Sequence, residues 1–335
     1  MINKLYEKVV RFIKEEYKFI ILCLVILIVG LFPLPIRLYM GGWIINLEDR
    51  IEIENEYKEN GSFNLAYVRE SRATIPTYLL SFVTNWDRVK ISDVKLDEND
   101  NTKDMWKREQ LYLKEASDNA IINAYKLAGE KIAINKEVFQ ILYIDLKAET
   151  NLMIGDEIIS IDGNVINNYD DIGNVVANKN IGDKVNILIN RDDKEKECYA
   201  IIKDYDGEKK IGISMLKLYD YDIERDIDLK FSNREGGSSG GFMLSLAIYN
   251  RLIEKDITKG LKIVGTGTID SLGNVGEIGG VKYKLKGAVK NKADIFFVPE
   301  ANYLEAMNEK DEHGYKIDIV KVYTLKDAIN YLESR

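Results

Sequence analysis

The chain contains the stretch Asn233-Arg234-Glu235-Gly236-Gly237-Ser238-Ser239-Gly240-Gly241-Phe242-Met243-Leu244-Ser245-Leu246-Ala247, in which four glycines and two adjacent serines precede an apolar run. The glycines give the backbone the freedom to form a tight turn, and the apolar run predicts a buried helix. A serine therefore lies at a helix N-terminus. Unpaired N–H groups and the helix dipole stabilise negative charge there, including an oxyanion formed when a hydroxyl attacks a carbonyl.

A simple helix cap is the alternative role for Ser238 or Ser239, and it is the commoner role of a serine in such a turn. A nucleophilic serine needs a base. The single histidine, His313, lies in the polar segment 311–315, which is typical of a solvated turn. A Ser–His–Asp triad is therefore disfavoured, and the remaining base is a lysine kept neutral by desolvation.

The candidate lysine follows a second glycine-rich turn, at residues 273–280. That turn opens a predicted helix with an apolar stripe of Val281, Leu285, Ala288 and Val289. Lys282 lies at the margin of the stripe, whereas Lys284 and Lys290 are expected to point elsewhere. Most lysines on such a helix are solvated, and the periodicity by itself does not single out Lys282.

Together the two stretches resemble the proteolytic domain of Lon proteases, in which a Pro-Ser-Ala-Gly turn carries the nucleophile and a Gly-Gly-Leu-Lys turn carries a lysine base. Aligned without a gap, the resemblance implies Ser239 as nucleophile, Lys282 as base and Thr266 as the residue that orients the amine. Residues 265–270 match the strand between the two turns. Two motifs in this order are more specific than either turn alone.

Three positions depart from the family pattern: Ser238 replaces the proline, Gly240 the alanine and Gly236 an aspartate. The two adjacent hydroxyls leave the nucleophile open between Ser238 and Ser239, and the register favours Ser239. The resemblance implies that backbone N–H groups around Gly237 to Gly240 hold the oxyanion, without indicating which two.

The N-terminal part predicts a membrane anchor. Residues 19–32 are all apolar or glycine, and with Tyr17 and the stem of Lys18 they approach the roughly 20 residues of a spanning helix. Basic residues precede this run and only Arg37 follows closely, so the N-terminus is expected in the cytoplasm and the rest outside. A cleaved signal peptide, for which residues 33–37 offer no small-residue cleavage site, and a buried helix of a soluble protein are the alternatives.

The middle of the chain holds a second resemblance. Residues 152–166 have the pattern strand, tight turn, strand and look like the central hairpin of a bacterial PDZ domain. Such domains bind an extended peptide at a sheet edge, and the family layout places that edge near Val138 to Ile144. Asp156 and Asp162 are interpreted as turn residues that fix the hairpin. Residues 106–116 and 120–127, ahead of the hairpin, are predicted as helices.

Composition narrows the function classes. The 335 residues are 46% hydrophobic and have room for two or three domains. A net charge of -8 gives no general attraction to nucleic acid, which is not expected as a partner. Cys23 and Cys198 are not expected to form a disulfide bond.

The sequence contains no Gly-x-x-x-x-Gly-Lys-Ser/Thr motif and no spacing typical of metal ligands, so neither a cofactor nor a metal is expected.

The predicted fold class is α+β, with a cytoplasmic N-terminus and transmembrane helix at 1–38. An opening strand and helix segment, associated with the catalytic domain, follows at 39–117. The PDZ domain, a small β-barrel-like sheet with helices, takes 118–205, and a Lon-type proteolytic α+β domain takes 206–335.

The order of these parts resembles the membrane-anchored, PDZ-containing Lon-like serine proteases of Gram-positive bacteria. That resemblance implies an ATP-independent endopeptidase with a Ser-Lys dyad, acting on secreted or membrane-anchored proteins and peptides outside the cell membrane. The PDZ domain would aid recognition or regulation, and a homo-oligomer is a further possibility. The alternatives are an inactive membrane-tethered PDZ adaptor and hydrolysis of another acyl bond.

Overall fold

A computed structural model describes residues 2–84, 86–94 and 101–335. The chain divides into two compact units, one of residues 1–41 with 68–96 and one of residues 42–67 with 97–335.

Its helices are α1 (Ile2–Leu31), α2 (Ile75–Leu80), α3 (Thr102–Ala128), α4 (Tyr169–Ala177), α5 (Gly241–Leu252), α6 (Val281–Lys290), α7 (Tyr303–His313) and α8 (Leu325–Ser334). The strands before the serine-bearing turn at residues 233–240 are β1 (Pro33–Asn46), β2 (Ile51–Ile53), β3 (Ser62–Thr74), β4 (Asp87–Lys90), β5 (Ile132–Ile144), β6 (Glu157–Ile161), β7 (Asn164–Val165), β8 (Lys184–Asn190), β9 (Glu195–Ile201), β10 (Lys203–Tyr205), β11 (Glu208–Lys210), β12 (Ile213–Ile223) and β13 (Ile227–Leu229). Those after it are β14 (Lys262–Gly265), β15 (Thr268–Ile269), β16 (Val275–Gly276), β17 (Ile295–Pro299) and β18 (Asp318–Val322).

Helix α1 is the longest element of the first unit. It stops at Leu31, and the chain continues as strand β1 because Pro33 and Pro35 cannot extend a helix. Glu15, Glu16 and Lys18 lie on the N-terminal side of its apolar part. In the part of the chain that the structure describes, no helix combines the length and the apolar character needed to cross a bilayer, so the expected transmembrane helix within residues 1–38 is not found.

Within the second unit, strands of one sheet follow the order β18-β17-β14-β3. Strand β14 pairs in parallel with both β3 and β17, and β17 pairs in parallel with β18. Strand β17 is buried along its whole length, from Ile295 to Pro299. Helix α5 packs into the core of this unit, where every residue of the helix except Tyr249 is buried. The apolar run after the serines is thus a core helix, as its composition predicts.

A separate sheet of the second unit has the order β12-β5-β6-β8-β9, with β7 paired to β6. The predicted peptide-accepting edge at Val138 to Ile144 is wrong, because β5 lies inside this sheet between β12 and β6. Strand β12 returns from far along the chain and covers the whole length of β5, from the pair Ile132 and Ile223 to the pair Ile144 and Ile213. Strand β12, and not β5, therefore forms this edge of the sheet.

Helix α3 replaces the two predicted helices at 106–116 and 120–127 with one continuous helix. The side chain of Asn101 caps its first turn, and Gly129 ends it in the left-handed conformation with φ 78°. The polar residues between the two predicted helices do not break it. Instead Ser117 donates to the carbonyl of Leu113 at 2.8 Å, and Asp118 accepts from the backbone of Tyr219 at 3.3 Å.

Asp156 fixes the hairpin of the second sheet, which agrees with its interpretation as a structural turn residue. The carboxylate is 1% exposed, accepts from the backbone of Met153 at 2.7 Å, and receives two bonds of 2.7 Å from the guanidinium of Arg191. Such a two-pronged pair holds a buried charge in place.

We expect Arg191→Ala to lower the free energy of unfolding by about 3 kcal/mol, because it leaves the buried Asp156 charge uncompensated. Urea denaturation of the purified chain measures this change. Lys210→Ala is the matched control, since its partner Glu208 is exposed, and it should change stability by less than about 1 kcal/mol. Equal effects of the two substitutions would contradict the structural role of the Asp156 pair.

Candidate active site

The two adjacent serines lie in the turn that leads into α5. Gly240 is the N-cap residue of the helix, and no side chain forms a cap bond there in the described structure. Ser238 contributes only its carbonyl, which accepts from the N–H of Gly241 at 3.2 Å. The alternative that a serine hydroxyl simply caps the helix is therefore not what the structure shows. Both serines are half-buried.

The turn is held from two sides by backbone bonds. The N–H of Gly237 donates to the carbonyl of Glu109 in α3 at 2.8 Å. The carbonyl of Ser239 accepts from the N–H of Gly267 at 2.9 Å and from the hydroxyl of Thr266 at 3.1 Å. These bonds fix the position of Ser239 relative to residues 265–267, at the end of β14.

The departures from the family pattern at two glycines follow from close packing. A Cβ on Gly236 would lie 2.8 Å from the Cβ of Glu109, so α3 leaves no room for a side chain there. A Cβ on Gly240 would lie 2.7 Å from Cδ2 of Leu65, which occupies the space of the missing methyl group. Gly237 has φ 92°, a conformation that side chains rarely adopt. Gly236 and Gly240 therefore allow the turn to pack closely against Glu109 and Leu65.

Lys284 is the buried lysine of α6. It is 4% exposed, and its Nζ donates to the hydroxyl oxygen of Thr266 at 3.1 Å. Burial lowers the pKa of the Lys284 amine from 10.5 to about 8, because a charged ammonium is poorly solvated there. Thr266 is fully buried and links the amine to the backbone of Ser239, since its hydroxyl donates to Ser239 and accepts from Lys284.

Lys282 does not occupy this position. It is half-buried, and its Nζ lies 4.9 Å from the centre of the Tyr283 ring. The expectation that Lys284 points away from the apolar stripe is wrong. Helix α6 begins at Val281, so Lys284 lies three residues after Val281 and four before Ala288, on their face of the helix, whereas Lys282 lies to the side of it. That spacing is visible in the sequence and favours Lys284.

The backbone N–H groups near Ser239 are not equivalent. Gly237 already donates to Glu109, which removes its N–H from the predicted oxyanion-binding set. Within the described residues, the N–H groups of Ser238, Ser239 and Gly240 donate no hydrogen bond to protein. The start of α5 therefore presents free donors beside the Ser239 side chain, which is the requirement for holding an oxyanion.

His313 lies at the end of α7 and has partners of its own. Its Nδ1 is 3.2 Å from the carboxylate of Glu309, and its ring stacks on Tyr315 with the centroids 5.2 Å apart. Glu309, Glu312 and His313 bring ligand-type atoms within 4.8 Å of one another, a spacing that exposed acidic groups often adopt without a metal. These contacts agree with the expectation that the histidine is not the base of the serine.

The sequence does not reveal the part that α3 plays in this site. Glu109 holds the serine turn, and Asn119 and Asn123 donate through Nδ2 to the carbonyls of Ile269 and Asp270 at 3.1 and 2.8 Å. The only sequence signal is the loss of side chains at Gly236 and Gly237, which indicates that another element approaches the turn closely.

Comparison with known families finds two matches along the chain. The family model of the PDZ domain matches residues 138–201, and that of the Lon protease (S16) C-terminal proteolytic domain matches residues 210–333.

Among curated proteins, the chain is 30% identical over 94 residues to the Lon protease of Aster yellows witches'-broom phytoplasma, a match that covers 28% of this chain and 12% of that protein. It is 27% identical over 109 residues to the archaeal Lon protease of Halobacterium salinarum, covering 32% and 15%. The chain thus spans a small fraction of the length of these relatives.

Among solved structures, the PDZ domain of an SdrC-like protein from Listeria monocytogenes is 23% identical, with a TM-score of 0.22, and the match covers 26% of this chain and 93% of that one. The second domain of a Listeria protein is 24% identical, with a TM-score of 0.22 and coverage of 25% and 87%.

We expect Lys284→Met to stabilise the fold at pH 7 by about 2 kcal/mol, because the folded-state pKa near 8 lies below the unfolded value of 10.5. Between pH 8 and pH 10.5 the Lys284 amine is mostly protonated in the unfolded chain and mostly neutral in the folded one. The free energy of unfolding of the wild-type protein therefore rises as pH rises from about 8 to about 10.5. The advantage of the methionine variant is full below pH 8 and fades above it. Denaturation at pH 6.5 and pH 10 measures it, with Lys282→Met as the control. A destabilised Lys284→Met variant at pH 6.5 would contradict a costly buried amine.

Proposed function

Because the chain carries a PDZ domain and the C-terminal proteolytic domain of the Lon (S16) proteases, we propose that it is a serine peptidase with Ser239 as nucleophile and Lys284 as general base. One observation carries this assignment. The buried amine of Lys284 donates to the Thr266 hydroxyl, and that hydroxyl donates to the backbone carbonyl of Ser239. Lys284 takes the role that the sequence analysis gives to Lys282.

The proposed reaction begins with proton transfer from the Ser239 hydroxyl to the neutral Lys284 amine. The serine oxygen attacks the peptide carbonyl, and the free N–H groups at the start of α5 stabilise the oxyanion. The protonated lysine then gives its proton to the leaving amine, and water resolves the acyl-enzyme with Lys284 again as base. With a pKa of about 8, roughly a tenth of the amine is neutral at pH 7.

Two further features belong to the same proposal. The sequence lacks an ATP-binding Gly-x-x-x-x-Gly-Lys-Ser/Thr motif, which supports cleavage without ATP. Strand β12 is the edge strand of the PDZ sheet, so an extended peptide would add there through main-chain bonds. The hydroxyl of Tyr169 donates to the Met215 carbonyl on this strand at 2.9 Å. We propose that the PDZ domain recruits protein or peptide substrates.

We expect a peptidyl fluorophosphonate to form a single adduct on the wild-type chain, detected by intact mass. Ser239→Ala should remove the adduct, and Lys284→Ala should slow its formation by about 100-fold or more, because it removes the base. The labelling rate of the wild type should rise with pH through about 8, since the neutral amine is the active form.

Lys282→Ala and Ser238→Ala are the matched controls and should keep the labelling. Loss of the adduct in Lys282→Ala but not in Lys284→Ala would return the base to the residue that the motif register favours. Absence of any adduct on the folded wild type would favour the adaptor alternative.

The exposed apolar part of α1 supports a separate proposal, association of the chain with a membrane at residues 19–31. Ile26 is 62% exposed and Leu31 is 64% exposed, and a run of such side chains favours contact with lipid or protein. That the catalytic domain acts outside the cell is a separate proposal, which rests on the sequence resemblance and not on α1, since no described helix has the length and apolar character to span a membrane.

We expect the full chain to sediment with membranes and to be released by the double substitution Ile21→Asp and Ile26→Asp, because carboxylates are expelled from lipid. Leu272→Asp, at a site 83% exposed, is the matched control and should leave the distribution unchanged. Protease added to intact cells reports the side on which the catalytic domain lies. A soluble wild-type chain would contradict the proposal.

A further inference from the structure

A cavity of about 330 Å³ opens beside the serine turn. Ser238 forms one side of it, α3 another, and the hairpin of β15 and β16 a third. Its volume is at the low end of the range for ligand pockets and suits one large amino-acid side chain. Because Ser238 precedes the proposed nucleophile, a side chain in this cavity belongs to a residue close to the bond under attack.

The polar groups of the cavity are acceptors. Glu115 and Asp270 contribute carboxylates, and none of the described residues that line the cavity is a lysine or an arginine. Asp270 already accepts bonds from the N–H of Leu272 and from the N–H and side-chain amide of Asn274. Glu115 has neither a hydrogen bond nor an ion pair with another described residue, and it is half-buried. Its negative charge is therefore available to a ligand.

Asn119 gives an independent indication of a missing donor. It is 7% exposed and lines the cavity, and its Nδ2 is held by the carbonyl of Ile269 at 3.1 Å. With the amide fixed in this way, Oδ1 is left as a buried acceptor without a hydrogen-bond donor in the described part of the chain. Buried acceptors without a donor are rare in proteins, so this oxygen is a candidate partner for a donor that enters the cavity.

The charge near Glu115 explains why a cation is preferred to a neutral donor. Burial raises the pKa of Glu115, and the negative charge of Asp118, one helical turn further along α3, raises it further. A cationic side chain offsets both the desolvation of the Glu115 carboxylate and its repulsion from Asp118, whereas a neutral hydrogen-bond donor offsets only part of the desolvation.

Resting on the proposed peptidase function, we infer that this cavity is the subsite for a substrate side chain next to the scissile bond, and that it selects lysine or arginine. The ammonium or guanidinium group pairs with Glu115 and supplies the donor that Asn119 Oδ1 lacks. The apolar stem of the same side chain packs on Ile269 and Val275, which also line the cavity.

The test uses the full chain and pairs of peptides that differ at one position, lysine against norleucine, which keeps the stem and removes the ammonium. Wild type should cleave next to lysine with a kcat/KM about 10-fold above that for norleucine. Glu115→Gln should bring this ratio close to one, and Glu115→Lys should invert it in favour of a glutamate peptide. Glu305→Gln, the same change at an exposed position of α7, should leave the ratio unchanged.

Binding to the Ser239→Ala variant separates this inference from the proposed activity. Tighter binding of the lysine peptide, lost in Ser239→Ala with Glu115→Gln, supports the subsite even if no peptide is cleaved, and in that case the peptidase proposal alone fails. Cleavage with equal rates for lysine and norleucine, or with a ratio that Glu115→Gln does not change, overturns the subsite and leaves the peptidase proposal intact. Absence of both cleavage and binding overturns both.

Discussion

The hydrogen bond between the Lys284 amine and the Thr266 hydroxyl is the interaction on which the candidate site depends. Burial of an amine is unfavourable, and the fold accepts it only where the surrounding elements are fixed. Thr266 comes directly after β14, a strand paired on both sides in the parallel sheet. The core of the domain therefore fixes the position of Thr266. Through its two hydrogen bonds, Thr266 in turn positions the Lys284 amine and the backbone of Ser239.

Helix α3 connects the site to the second sheet. At one end Glu109 receives the N–H of Gly237 in the serine turn. Further along, Asp118 accepts from the backbone of Tyr219 in β12, and burial raises its pKa to about 6. One rigid helix thus contacts both the serine turn and the edge strand of the PDZ sheet. Because the serine turn and β12 both contact α3, their positions relative to each other are fixed.

The sequence predicts those features that local pattern determines. The glycine turn and apolar run of α5 are visible because a turn and a buried helix are local events. The lysine shows where two kinds of argument differ: the ungapped motif register favours Lys282, while the helical spacing from Val281 and Ala288 favours Lys284. The contacts of Gly236 with Glu109 and of Gly240 with Leu65 join distant parts of the sequence, so no local pattern predicts them. The same holds for β12, which covers a strand that ends about 70 residues earlier.

The ladder between β5 and β12 has a consequence for how the protein is assembled. Its end pair joins Ile132 to Ile223, so the chain leaves the proteolytic fold and returns to it at adjacent points. The PDZ sheet is therefore an insertion carried on two neighbouring strands, placed between α3 and the segment that leads to the serine turn. Such an insertion is compatible with an uninterrupted host fold, because domains whose ends lie close together are accepted within other domains.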